Sequence, residues 1–314
     1  MNAKIYPTMI TPFNEDRSID YNGVAEIIEW YIENGCDGLF AICQSSEMFY
    51  MSLSERLELA KFIVDKSKGR LEIVASGHIS SSLDAQIEEM KAIAKTNVKA
   101  IVFVSNRFAD SYENDDIWLN NMKRVIDSID SNVEFGIYEC PYPYKRVLSD
   151  RVIEELAKNG RFTFIKDTCC DLEIIKRRAD ICNGSNLKLY NANASSLLYS
   201  LQLGYYGYSG VMANFYPDLY VKLLNSDFYS KEAKMIENFL LITSYIEKQN
   251  YPKNAKYYMN NVEDINNFLQ LQGFQMVFPY LRSLVANMTA NAMMPPIFLP
   301  IVYANQFEEK PITE

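Results

Sequence analysis

Three short windows of this chain carry side chains whose type and neighbours suit covalent or proton-transfer chemistry. The first reads Phe162-Thr163-Phe164-Ile165-Lys166-Asp167-Thr168. A lysine directly after an apolar run points either into the mouth of a barrel or along its rim. Apolar walls strip its hydration, disfavour the charged form and lower its pKa, which is what a nucleophilic amine needs near neutral pH. A lysine snorkelling from the rim fits the position equally well. The second window reads Gly136-Ile137-Tyr138-Glu139-Cys140-Pro141, where a strand-terminal phenol can carry a proton or simply plug a barrel end. The third reads Ala41-Ile42-Cys43-Gln44-Ser45-Ser46-Glu47. Consecutive small hydroxyls there offer O–H and backbone N–H donors to a carboxylate, with Glu47 as a loop anchor; taken alone, the segment is also an ordinary polar turn.

The elements that must hold these windows follow from periodicity. Short apolar, β-branched runs at 5–10, 38–42, 71–75, 100–104, 133–138, 162–165, 187–190 and 208–212 alternate with helical patterns at 21–34, 53–67, 82–95, 115–129, 149–159, 172–182, 194–203 and 216–224. Ser54 before Glu55, and Ser149-Asp150 before Ile153, supply N-capping logic. Eight such units close a parallel (β/α)8 TIM barrel over residues 1–224. From residue 225 to 314 the strand signals stop, and helical patterns at 231–248, 262–272 and 274–288, punctuated by Pro252 and Asn260-Asn261, predict a helical subdomain packed on the barrel, with a frayed tail from Phe307. An open doubly wound sheet is disfavoured, since neither a G-x-G-x-x-G turn nor a Walker loop occurs. In a barrel the C-terminal strand ends carry the chemistry, and all three windows fall there.

Bulk properties narrow the partners. A formal charge of −9 argues against nucleic acid or an anionic membrane as a partner and requires a local cationic group for any small anionic substrate. No apolar run approaches the roughly 20 residues of a spanning helix, and the start MNAKIYPTMITPF lacks a signal core, so a soluble, cytoplasmic protein is expected. Six cysteines without a CxxC pair read as reduced thiols. His78 is the only histidine, so no metal site is expected and triad chemistry would rest on one residue.

Taken in order with Thr11-Pro12-Phe13, the windows resemble the dihydrodipicolinate synthase and N-acetylneuraminate lyase family of pyruvate-dependent Schiff-base aldolases. The likeness spans about residues 3 to 224. Cys43-Gln44-Ser45-Ser46-Glu47 matches the family's glycine-hydroxyl-threonine-glycine-glutamate signature, Tyr138-Glu139-Cys140-Pro141 its tyrosine-asparagine-x-proline strand end, Ile165-Lys166-Asp167 its lysine segment, and Gly210-Val211-Met212-Ala213-Asn214 its closing element. The resemblance implies that Lys166 forms an imine with a 2-keto acid and that Tyr138 shuttles the proton. It implies that Ser45 binds the keto-acid carboxylate and helps to position Tyr138, with Gln44, Ser46, Glu47 and Ser209 lining the site. The covalent imine through Lys166 then needs no cofactor, and the family implies a homodimer or a homotetramer.

Departures limit the match. Where true synthases carry an arginine for aspartate semialdehyde stands Pro143, and where they carry a relay tyrosine stands Phe108, in Ser105-Asn106-Arg107-Phe108. Arg107 is expected to bind a second acid group in place of the missing arginine, or to sit in a solvated loop. His78, after the third strand, is expected either to meet a substrate hydroxyl or to be a satisfied rim histidine. Glu139 is read as tuning Tyr138, as gripping a polyhydroxyl tail, or as facing the surface. The function expected is a lyase or aldolase making or breaking a C–C bond between pyruvate, or a similar 2-keto acid, and an aldehyde. A synthase or hydratase with another second substrate, or a keto-acid-binding barrel without catalysis, are the alternatives.

Overall fold

The computed structural model describes residues 3–130 and 132–260. Eight parallel strands run β1 (Lys4–Ile5), β2 (Gly38–Phe40), β3 (Glu72–Ala75), β4 (Ala100–Val104), β5 (Glu134–Tyr138), β6 (Phe162–Asp167), β7 (Lys188–Asn191) and β8 (Gly207–Tyr208). They pair in the order β1-β8-β7-β6-β5-β4-β3-β2, and a parallel bridge between Thr8 and Phe40 joins the two ends of that sheet. The result is the (β/α)8 barrel expected from the alternation. Helices α1 (Tyr21–Glu33), α2 (Leu53–Ser67), α3 (Leu83–Ala94), α4 (Asp115–Asp127), α5 (Asp150–Asn159), α6 (Leu172–Cys182), α7 (Leu197–Gln202) and α8 (Pro217–Leu224) form the outer layer.

Local chemistry explains most of the boundaries. Ser149 caps α5 by accepting from the Val152 N–H, as expected, whereas the capping box of α2 is Ser52 with Glu55, not Ser54. The first and last strands are shorter than the apolar runs suggest. Pro7 has no N–H to give the ladder, so β1 ends at Ile5 and only isolated pairing continues. Beyond Ser209 the run Val211–Asn214 coils into a 3-10 turn although Val211 and Met212 read as strand. The pattern at 231–248 forms α9 (Lys231–Thr243), followed by a 3-10 turn, Ser244–Lys248, and then α10 (Lys253–Asn260). Helix α9 packs on α7, α8 and the turn Ala194–Ser196, and the chain through Lys256 forms one compact unit. The helices expected at 262–272 and 274–288, and the tail from 307, lie outside the described residues. Among the described residues no helix is long and apolar enough to cross a membrane.

Strand alternation divides the core in two. Inside the barrel, Tyr6, Phe40, Phe164 and Tyr190 stack with ring centroids 4.8 to 5.9 Å apart. Between sheet and helices lies a cluster that includes Phe103, Phe108, Trp118, Ile137 and Ile165. Closure depends on close backbone approach at the seam: a Cβ on Gly207 would lie 1.8 Å from the Lys4 carbonyl oxygen. Gly207→Ala is therefore expected to force β1 off β8 and to cost about 3 kcal/mol, measurable as a lowered urea midpoint.

Candidate active site

Tyr138 and Lys166 are direct partners in the register of β5 and β6, and Lys166 is paired in turn with Tyr190 of β7. Successive side chains alternate faces, so Lys166 follows Phe164 into the barrel while Ile165 and Asp167 face the helices. The ammonium lies 4.4 Å from the Tyr138 ring centroid and 6.0 Å from that of Phe40, with only 4% of the residue exposed. Burial lowers its pKa; the thiols of Cys43 and Cys140 and the Glu247 carboxyl oppose that shift. The amine is thus held where its neutral, nucleophilic form is favoured.

The Tyr138 hydroxyl donates to Gln44 Oε1 at 3.3 Å, and the Cys140 thiol donates to the same oxygen at 3.4 Å. The orienting contact expected from Ser45 is made by Gln44 instead. Burial raises the phenol well above its usual range, helped by Cys140 and Cys43, so Tyr138 stays protonated as a donor. Ser45 is buried, and its hydroxyl meets the phenol of Tyr251. The Ser46 hydroxyl is committed to the Cys43 backbone, accepting from its N–H at 2.6 Å and donating to its carbonyl at 2.8 Å. Glu47, left-handed at φ 62°, pairs with Lys256 and anchors the loop. Ser209 donates its N–H to the Asn191 carbonyl, and its hydroxyl is buried without a hydrogen-bond partner among the described residues.

Three further residues lie apart from the lysine and its phenol. His78 is fully buried: its Nδ1 accepts from the Val104 N–H at 3.1 Å, so Nε2 carries the proton donated to Gln86 Oε1 at 2.7 Å. Burial, with Arg107 adding to it against the Gln86 contact, pushes its pKa down to about 3. It is a neutral core histidine packed edge-on against Phe103 and tilted against Phe108, with both nitrogens engaged away from Lys166. Phe108 lies in that same cluster against Trp118, not at the mouth. Arg107 sits 5.6 Å above the Phe49 ring and lines a side cavity of about 190 Å³ with Asp110, Asn121, Pro143 and Tyr144, a cavity that includes neither Lys166 nor Tyr138.

Glu139 neither tunes Tyr138 nor faces solvent. It turns outward into a fully buried triad, in which Arg178 of α6 donates to Glu139 at 2.5 and 3.2 Å and pairs with Asp167 at 2.8 Å. Asp167 also accepts from Tyr205 and from the Cys169 N–H, and Glu139 from the N–H groups of Leu148 and Thr168. Burial opposes ionisation of Asp167, but Arg178 and these donors hold it below the usual carboxylate range, whereas burial and the nearby Asp167 raise Glu139. The residues immediately after Tyr138 and Lys166 are thereby tied to one guanidinium.

Tyr251 and Glu247, from the segment after α9, were not singled out by sequence. The Tyr251 phenol oxygen accepts from Asn214 Nδ2 at 3.0 Å. Asn214 also donates to the Thr8 and Val211 carbonyls and accepts from Tyr31. Burial raises Glu247, with Lys166 as the main opposing charge. The only signal in the sequence was a tyrosine before Pro252 in a polar stretch, which is insufficient to place it at a barrel mouth.

An amine buried beside a phenol at adjacent barrel strand ends, with hydroxyls across the mouth, is the equipment of a lysine-dependent lyase. A model of the dihydrodipicolinate synthetase family matches residues 1–270, and the chain belongs to that family, whose members are lyases of the class I aldolase type. The 4-hydroxy-tetrahydrodipicolinate synthase of Clostridium perfringens is 24% identical over 210 residues, covering 67% of this chain and 70% of that protein. That of Brachyspira hyodysenteriae is 25% identical over 224 residues, covering 70% and 74%. Among solved structures, dihydrodipicolinate synthase from Acinetobacter baumannii, complexed with pyruvate, superposes with a TM-score of 0.74 at 21% identity, covering 83% of this chain and 88% of that one. CdNal from Clostridium difficile, in complex with mannosamine, gives 0.73 at 20% identity, covering 82% and 88%.

Two outcomes follow. A folded-state lysine pKa below the ordinary value of 10.5 means that between those two values the unfolded chain holds more protons, so stability rises with pH across that interval. Lys166→Met, with no charge to desolvate, should be more stable than the parent at neutral pH, by an amount that shrinks as the pH nears 10.5 in urea titrations. Arg178→Met leaves two carboxylates buried together and should cost about 3–5 kcal/mol in the same assay.

Proposed function

We propose that this protein is a pyruvate-dependent aldolase or lyase that makes or breaks a C–C bond between a 2-keto acid and an aldehyde through an imine on Lys166. The observation that carries the reading is the buried Lys166 amine, 4.4 Å from the ring of Tyr138, its register partner on the neighbouring strand. The neutral amine adds to the keto carbon, giving a carbinolamine. Protonation of its hydroxyl, with Tyr138 as the carrier, releases water and leaves a protonated imine. That cation withdraws electrons, so a proton lost from the adjacent carbon gives a neutral enamine, which adds to the aldehyde carbon while the aldehyde oxygen takes up a proton. Water then hydrolyses the product imine and regenerates the amine; cleavage is the reverse.

Gln44 orients Tyr138, Ser45 receives the carboxylate and Ser209 lines the pocket wall, while Ser46 and Glu47 shape the loop. Pro143 in place of a guanidinium, and Phe108 withdrawn into the core, favour an aldehyde other than aspartate semialdehyde. We place the enzyme in the cytoplasm as a homodimer or homotetramer, although one similar structure is that of a monomeric dihydrodipicolinate synthase variant.

Incubation with pyruvate and borohydride should add the mass of one reduced pyruvate to the intact protein, and the adduct should be absent from Lys166→Ala. No adduct, or one that persists in the variant, overturns the imine; release or consumption of pyruvate in an aldehyde screen then separates enzyme from binder.

A further inference from the structure

The net charge of −9 makes the capture of an anionic keto acid a problem that the barrel alone does not solve. Arg107, the cation expected to bind a second acid group or to sit in a solvated loop, lies over Phe49 beside a separate cavity. What faces Ser45 is a phenol from outside the eight βα units. Tyr251 is half-buried, its oxygen accepts from Asn214 Nδ2 at 3.0 Å, and the hydroxyls of Ser45 and Thr8 lie beside it. With the oxygen already accepting from an amide, the phenolic O–H is left to donate. Asn214 is itself fixed by the Thr8 and Val211 carbonyls and by Tyr31, so the phenol is held on a rigid mount.

We infer that Tyr251 is a substrate-binding residue whose O–H, together with that of Ser45, receives the carboxylate of the keto acid bound at Lys166. The inference rests on the imine reading above and deepens it. Two neutral O–H donors converging on a carboxylate from the loop after β2 and from the segment after α9 form charge-assisted hydrogen bonds in a water-poor site. They also spare the pocket a second cation beside the protonated imine. Burial keeps the Tyr251 phenol well above its usual titration range, so it remains a donor at every pH at which the amine works. Selectivity for 2-keto acids over simple aldehydes then depends on a residue that lies beyond the barrel strands.

The test is borohydride trapping at Lys166 with two carbonyl compounds, pyruvate and acetaldehyde, the second lacking a carboxylate. Tyr251→Phe removes only the hydroxyl and leaves Asn214 its carbonyl partners. It should raise the half-saturating pyruvate concentration about 10- to 100-fold, the loss of one hydrogen bond to a charged group, while leaving acetaldehyde trapping unchanged. Ser45→Ala should act in the same direction, and the double variant should lose less than the product of the two factors. An equal loss for both compounds overturns the inference, because Tyr251 would then shape the lysine and not read the carboxylate. Unchanged pyruvate trapping overturns it as well, and so does tighter trapping, which would make the phenol a plug. If the parent protein traps no pyruvate, the imine reading falls and this inference with it.

Discussion

One guanidinium ties together the two strand ends of the candidate site. Arg178 sits between Glu139 and Asp167, and each of those carboxylates immediately follows a side chain of the proposed chemistry, Tyr138 or Lys166. Because side chains alternate across a strand, a clamp on the outward residues fixes the inward ones without entering the pocket. The arrangement is costly in isolation, since three charges leave water for one another. It is secured by saturation: N–H groups of Leu148, Thr168 and Cys169 and the Tyr205 hydroxyl complete the lone pairs, so the loops after β5 and β6 are bound into the same network. A half-satisfied version would be worse than an apolar core, which makes the loop conformations conditional on the charges and the charges conditional on the loops.

The inward side obeys the opposite logic. Lys166 is surrounded by aromatic faces and thiols, and the penalty for charging it there favours its neutral form. Full ionisation outside and suppressed ionisation inside are therefore reached within one residue of each other on β6. Asp167, paired with a guanidinium, keeps its charge; Lys166, stacked on Tyr138, tends to lose its own.

The sequence discloses the barrel and its three principal windows because these rest on local signals: period-two apolar runs, capping serines, and a lysine and a tyrosine at strand ends. It misleads where the deciding partner is distant. His78 reads as a group meeting a substrate hydroxyl or as a satisfied rim histidine until Gln86 and Val104 are seen to engage both nitrogens of a fully buried ring. Glu139 gives no hint of Arg178, which lies 39 residues away on a helix. Arg107 carries the expected charge, but the turn after β4 directs it onto Phe49. Tyr251 is the extreme case, since its approach to Asn214 depends on how the chain returns after α9.

That return has a consequence for synthesis. Lys166 leaves the ribosome about 85 residues before Tyr251, an interval of roughly 4 to 17 s at ordinary elongation rates. During it a nascent chain holds the lysine and the phenol of Tyr138 without the second hydroxyl that faces Ser45. The lysine and the strands that bury it, through β8, are thus all made before the group proposed to select its carbonyl partner. On the role inferred for Tyr251, discrimination between carbonyl compounds is acquired only when the segment after α9 returns to the mouth.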